Sequence, residues 1–199
     1  MKAAREHWRT LQPQWERARL VFIDETGLNT KMARLYGRSL RNQRCVAAVP
    51  HGHWQTSTFI AALRCDGLAA PFLIEGAVNA EVFTAYLRQV LCPELRKNDL
   101  VILDNLSTHK KNDDWLTAHP NVTFHFTPTS ASWLNQVEIW FGIFSRKALA
   151  GASFASIAQL VQAIRDFTEA YNRNAAPFVW RKREVKGAQL RNTIVNLRN

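Results

Sequence analysis

LVILDNLSTHK, residues 100–110, is the stretch from which the rest of the chain can be placed. Leu100, Val101, Ile102 and Leu103 are apolar in succession, with none of the alternation of a half-exposed strand, so they predict a strand buried on both faces. The run stops at Asp104, after which Asn105, Ser107, Thr108 and His109 change the chemistry abruptly. The carboxyl ends of strands in open α/β sheets line a crevice, so a carboxylate there is well placed for a site. An earlier stretch has the same form: Leu20, Val21, Phe22 and Ile23, closed by Asp24. Two buried strands that each deliver a carboxylate at the same end invite a shared cation.

Working outward, the 199 residues suit one domain with flanking segments, and 47% hydrophobic residues suffice for a core. No apolar run approaches a membrane span, and MKAAREHWRT at the start has no apolar core of a signal peptide. Cys45, Cys65 and Cys92 are odd in number and far apart, which argues against a disulfide framework or a zinc site and fits a reducing cytoplasm. A net charge of +10 makes a polyanion the first partner to consider.

Residues 1–18 read as a charged linker or docking helix with Trp8, Leu11 and Trp15 on one side, interrupted at Pro13. Asp24 and Glu25 follow strand one, and alternation sends them to opposite faces, so one of the two looks into the site. From 26 to 64 there is no acid at all, while Lys31, Arg34, Arg38, Arg41, Arg44 and Arg64 lie there with His51 and His53. A solvated basic loop would look the same, but directly after a metal-type carboxylate this composition favours a phosphate-backbone surface. Within and beyond it, 45–49, 56–63 and 71–74 read as β segments of an antiparallel meander, with turns at Gly37, Gly52 and Gly67.

Asn79 caps a helix bearing Val82, Phe83, Tyr86, Leu87, Val90 and Leu91, which Pro93 stops. The strand at 100–104 then makes a parallel crossover. A short helix near 111–118 and one more strand at 122–126 follow. Leu134, Val137, Phe141, Phe144 and Ala148 form a helical stripe with Glu138 on its flank. A capping box, Ser156 to Gln159, opens the last helix. The segment 178–199 is a basic tail with Glu184 as its single acid.

Three antiparallel strands, a crossover helix, a parallel strand, then helix, strand and helix is the order of the ribonuclease H-like fold, a mixed five-stranded α/β sheet flanked by helices. That order makes strands one and four neighbours, and brings Asp24, Asp104 and Glu138 towards one place. Three carboxylates suit hard divalent cations such as Mg²⁺, and a pair of ions would clamp both oxygens of an in-line phosphoryl transfer. Singly, each acid has a local reading: Asp24 and Asp104 as turn residues, and Glu138 with Asn135 as an Asn-x-x-Glu helix cap. His109, Lys110 and Lys111 are candidates for phosphate contacts, although a lone histidine serves equally in a core or a cap.

At these residues the sequence resembles a known family. FIDETGLNT (22–30), LDNLSTHK (103–110) and TPTSASWLNQVEIWF (127–141) look like the three blocks of a DDE transposase of the mariner-like superfamily, nearest its bacterial insertion-sequence branch. Asp104 and Glu138 are 34 positions apart, a spacing similar to that family's between its second Asp and final Glu. Asn105 and His109 after Asp104, and Asn135 before Glu138, also resemble its pattern. The resemblance implies a catalytic domain over 19–177 whose triad, Asp24, Asp104 and Glu138, binds two Mg²⁺ or Mn²⁺ ions. It implies nicking of double-stranded DNA at transposon ends, then strand transfer by the freed 3′-hydroxyl, in a homodimer assembled on DNA in the bacterial cytoplasm at the nucleoid. Family members carry an N-terminal helix-turn-helix part, whereas Met1 here stands just before the first strand. A separately encoded DNA-reading part and a truncated remnant both fit that departure. A same-fold nuclease without strand transfer and a non-catalytic DNA-binding remnant are the competing functions.

Overall fold

A computed structural model describes residues 2–30, 32, 36–48, 55–104, 119, 122–128 and 134–178. Five strands, β1 (Leu20–Asn29), β2 (Thr56–Arg64), β3 (Gly67–Glu75), β4 (Leu100–Leu103) and β5 (Thr123–Phe126), form one sheet in the order β3-β2-β1-β4-β5. The first three run antiparallel; β1 with β4 and β4 with β5 are parallel. The sheet is thus the mixed ribonuclease H-like sheet that the element order predicts.

Both faces are covered, which explains why β1 and β4 read as unbroken apolar runs. Val21, Ile23, Val101 and Leu103 pack on one face with Phe83, Tyr86, Leu87 and Leu91 of the crossover helix. That helix, α2 (Ala80–Tyr86), begins where the Asn79 side chain accepts from the Val82 N–H at 2.8 Å. It runs on through a wide π-type turn at Leu87–Leu91 to the Pro93 turn. On the other face lie Phe22, Leu28 and Ile102, beneath α3 (Gln136–Phe144) and α4 (Ile157–Asn172). Each large side chain buried here contributes about 1.5–3 kcal/mol over its exposed state.

Trp140 is the hub of that second face. Its ring stacks on Phe144 (centroids 5.4 Å apart, 13° between planes) and meets Phe167 and Tyr171 of α4 edge-on at 5.6 and 5.8 Å. The N-terminal helix α1 (Lys2–Leu11) docks on the same face through Trp8, which is buried and edge-on to Trp15. Ser156 caps α4 as the capping box predicts, accepting from the Gln159 N–H, while the Gln159 side chain takes the N–H of Ala155.

Two polar ties close the sheet. At the end of β2, Arg64 makes a two-pronged ion pair with Asp99, at 2.8 and 3.1 Å, both side chains buried. At the β3 edge, the last residue of α4, Asn172, accepts from the Leu68 N–H at 2.8 Å and donates to its carbonyl at 2.9 Å. Gly67 permits that approach: a Cβ there would stand 2.6 Å from the Asn172 Oδ1, and its φ of +144° disfavours any side chain.

One expectation fails. Residues 45–48 form no strand, and Val46 is 83% exposed. Among the described residues their β propensity has no partner surface to act on, and strand propensity is largely a measure of such packing. They belong instead to an excursion between β1 and β2, whose ends meet where the Thr30 N–H donates to the Gln55 carbonyl. All of 36–48 is exposed, with a tip turn in which the Gln43 N–H bonds the Leu40 carbonyl at 3.0 Å. The predicted helix at 111–118 and the tail 179–199 lie outside the described residues.

The Arg64–Asp99 pair generates a stability prediction. Asp99→Ala leaves the buried guanidinium with only the longer 3.8 Å contact to the half-exposed Asp66 and should cost about 3–5 kcal/mol, read as a shift in the urea midpoint. A change below 1 kcal/mol would show the pair to be dispensable.

Candidate active site

The register of the sheet sets up the site. The β1–β4 ladder pairs Leu20 with Leu100, Val21 with Val101 and Phe22 with Ile102. Asp24 and Asp104 each stand two residues past the last pair, so alternation turns both towards the face that holds Phe22 and Ile102. Neighbouring strands are about 4.8 Å apart. The same face carries α3, whose first turn contains Glu138. Asp24, Asp104 and Glu138 line one open cleft of about 420 Å³, together with Glu25, Thr26 and Phe141.

Glu25 differs from the alternation reading. Strand β1 does not end at Asp24 but continues to Asn29, paired with β2 throughout, whereas its pairing with β4 stops at Phe22. Beyond that point β1 is an edge on its β4 side among the described residues. A cleft at such an edge is reached from both faces of the strand, so Asp24 and Glu25 both line it. Sequence carried a signal for this in Thr26 and Leu28, which continue the β1 pattern past the two acids.

The electrostatics follow from burial first and crowding second. Asp24 is buried, and its pKa is raised to about 7, first by desolvation and then by the charges of Glu25, Asp104 and Glu138. The Glu25 N–H opposes this by donating to the Asp24 Oδ1 at 2.9 Å. Asn135 donates from Nδ2 to the other oxygen at 3.3 Å and to the Ile23 carbonyl at 2.8 Å. Although Asn135 stands at the cap position of α3, its side chain caps nothing there. The local Asn-x-x-Glu cap reading therefore fails: the amide is drawn to β1 instead.

An all-oxygen set of half-buried carboxylates around one buried acid has the donor chemistry of a hard divalent cation. Among the described residues, no three such side chains already stand close enough to hold one ion. Of the residues expected to meet DNA, Arg38, Arg41 and Arg44 are exposed on the excursion 36–48, away from any ion pair among the described residues. Lys31, Arg34, Asn105, His109, Lys110 and Lys111 lie outside the described residues. No described helix is long and apolar enough to cross a membrane.

Comparison with known proteins gives a concordant result. The family model described as DDE superfamily endonuclease matches residues 19–161. No curated protein matches. Among solved structures, the Mos1 strand transfer complex superposes with a TM-score of 0.65 at 16% identity, over 85% of this chain and 52% of its own. The Mos1 mariner paired end complex with Mn gives a TM-score of 0.65 at 16% identity, over 85% and 53%. The catalytic domain of Mos1 mariner transposase gives 0.59 at 13% identity, over 85% and 78%. The chain therefore spans about half the length of the longer Mos1 chains, and at these identities the likeness is one of fold.

Asp24 makes the site sensitive to pH. The folded protein holds a proton on Asp24 between the ordinary carboxylate range and about pH 7, where the unfolded chain has lost it. Stability therefore falls as pH rises through that window and levels off above it. Asp24→Asn removes the charge, so its melting temperature should gain on that of the wild type as pH goes from 5 to 7.5. A difference constant over this range would contradict the raised pKa.

Proposed function

The chain belongs to the DDE superfamily endonucleases, and on that footing we propose that its acidic cleft is a transposase active site that cleaves DNA strands and joins them. The observation that carries this reading is the convergence of Asp24, Asp104 and Glu138, from three separate elements, on one cleft. Burial first, and then the charges of the neighbouring acids, oppose the ionisation of Asp24. Such crowding is costly to folding and becomes useful when positive charge is brought in.

Asp24, Asp104 and Glu138 are the residues that would hold Mg²⁺ or Mn²⁺, the ions in two of the Mos1 paired end complexes. Bound divalent ions, two in the reading favoured here, would activate the attacking oxygen and offset charge on the leaving one. The chain's own part is positional. Asp24 is clamped through both oxygens, by the Glu25 N–H and by Asn135, so its remaining lone pairs face the cleft. Trp140 and Phe141, two and three residues after Glu138, are buried and fix the turn of α3 that presents it. Asn105, which follows Asp104 in sequence, would support the site, and His109, five residues after Asp104, would contact a phosphate.

The substrate in this reading is double-stranded DNA, both transposon ends and target, with two copies of the chain assembled on it at the bacterial nucleoid. Mos1 is caught in paired-end and strand-transfer complexes, which supports that arrangement. Arg38, Arg41 and Arg44, with Lys31, Arg34, Lys110 and Lys111, would grip the phosphate backbone. Base reading normally comes from a helix presented to the major groove. The described helices put their apolar faces into the core, which supports a separate helix-turn-helix part as the reader of the ends.

Two experiments test this. With Mn²⁺ the protein should nick supercoiled DNA, and Asp24→Asn, Asp104→Asn or Glu138→Gln should each lower the rate by at least a hundredfold while DNA affinity holds. Nicks without joined product in a strand-transfer assay would leave a nuclease; unaltered nicking in all three variants would refute the site. In binding, Arg38→Ala with Arg41→Ala should weaken every sequence about equally, and affinity should fall steeply with salt as counterions are released. Affinity that stays flat from 50 to 200 mM salt would exclude a phosphate-gripping surface.

A further inference from the structure

Asn135 is wholly buried, and its position is odd for what it does. Asn at the cap position before a helix ordinarily turns its side chain onto the helix's own free N–H groups. Here it caps nothing, and Oδ1 finds no partner among the described residues. Its Nδ2 instead reaches β1, donating to the Ile23 carbonyl at 2.8 Å and to the Asp24 Oδ2 at 3.3 Å. A carbonyl only accepts, so the Ile23 contact fixes which end of the amide faces β1 and hence which end faces Asp24. The backbone carbonyl of the same residue accepts the Glu138 N–H at 3.2 Å. Asp24 and Glu138 are therefore linked by one residue and two hydrogen bonds.

Leu134 and Gln136, on either side of Asn135, line a different cavity, between the sheet and the Trp8–Trp15 segment. Among the described residues at the start of α3, Asn135 is bonded to β1 through its side chain, and a buried acceptor left without a donor is a stability cost rather than a gain. A residue selected only to start the helix would cap it.

Resting on the reading of the cleft as a cation-binding active site, we propose that Asn135 is a positioning residue that sets the spacing and orientation of Asp24 against Glu138. Its amide acts as a tie between the third carboxylate's helix and the first carboxylate's strand. It touches neither DNA nor the reacting atoms. Without it, α3 would still pack through Trp140 and Phe144, but its first turn could slide relative to β1. The carboxylates would then lose the fixed relation from which they could close on one ion.

The test uses the 199-residue chain and Mn²⁺ alone as the probe, with affinity measured by calorimetry in the absence of DNA. Asn135→Leu keeps the volume and removes the tie; Asn135→Ser restores a helix cap and a short donor that cannot span to β1. Both should bind Mn²⁺ at least tenfold more weakly than wild type. Single-turnover nicking should fall by a hundredfold or more, with DNA affinity within twofold of wild type. A purely structural role would instead lower the melting temperature and leave Mn²⁺ affinity of the folded variant unchanged, which would overturn the proposal. If Asn135→Leu does not fold, Asn135→Ser decides by the same criterion. Glu138→Gln serves as the control for the underlying reading. Mn²⁺ affinity that depends on Glu138 but not on Asn135 refutes the tie alone, whereas affinity indifferent to both refutes the cleft as a metal site and the tie with it.

Discussion

Three residue pairs, Leu20–Leu100, Val21–Val101 and Phe22–Ile102, join the antiparallel half of the sheet to its parallel half. Everything that concerns the site depends on this short seam. It puts Asp24 beside Asp104, and by stopping at Phe22 it leaves the following stretch of β1 open on that side to form a cleft. A slip of one residue would turn one of the two acids to the opposite face. The seam is pinned by what lies on either side of it: Phe22 and Ile102 against α3 and α4, Val21 and Val101 against α2. Packing of the two faces, rather than any property of the acids, holds the register.

The acids themselves work against the fold. Four carboxylates line one cleft, and burial pushes Asp24 towards its neutral form. The counterweight is distributed: aromatic packing around Trp140 behind α3, the Arg64–Asp99 pair at the far end of the sheet, and donors on both oxygens of Asp24. Local conflict with global stability is what a functional site is expected to show.

Much of this was legible in the sequence for a definite reason. A strand covered on both faces must be apolar throughout, so Leu20–Ile23 and Leu100–Leu103 announced themselves, and the Asp closing each run marked the end at which a crevice lies. Where a residue's fate depended on distant partners, the reading failed. Val46 has strand propensity but stays exposed, with no surface to cover among the described residues. Trp140 lies off the stripe drawn through Val137, Phe141 and Phe144, because α3 is buried from two sides, by the sheet and by α4, and its apolar face is wider than one partner would require. Asn135 was read as part of a family pattern and, alternatively, as a helix cap. Its bond to Ile23 spans more than a hundred residues of chain, and no local pattern encodes such a partner.

The Asn172 contact on Leu68 has a consequence for how molecules of this protein meet one another. β3 is an outer strand, and its free N–H and C=O groups are a template on which a second chain can lay down a strand. Asn172 occupies one donor and one acceptor of that template, much as a neighbouring strand would. Because it is the last residue of α4, the cover is only as durable as the final helical turn, the part of a helix that frays first. Conditions that loosen that turn without unfolding the core would uncover the rim of the sheet, so self-association would set in well below the temperature of global melting.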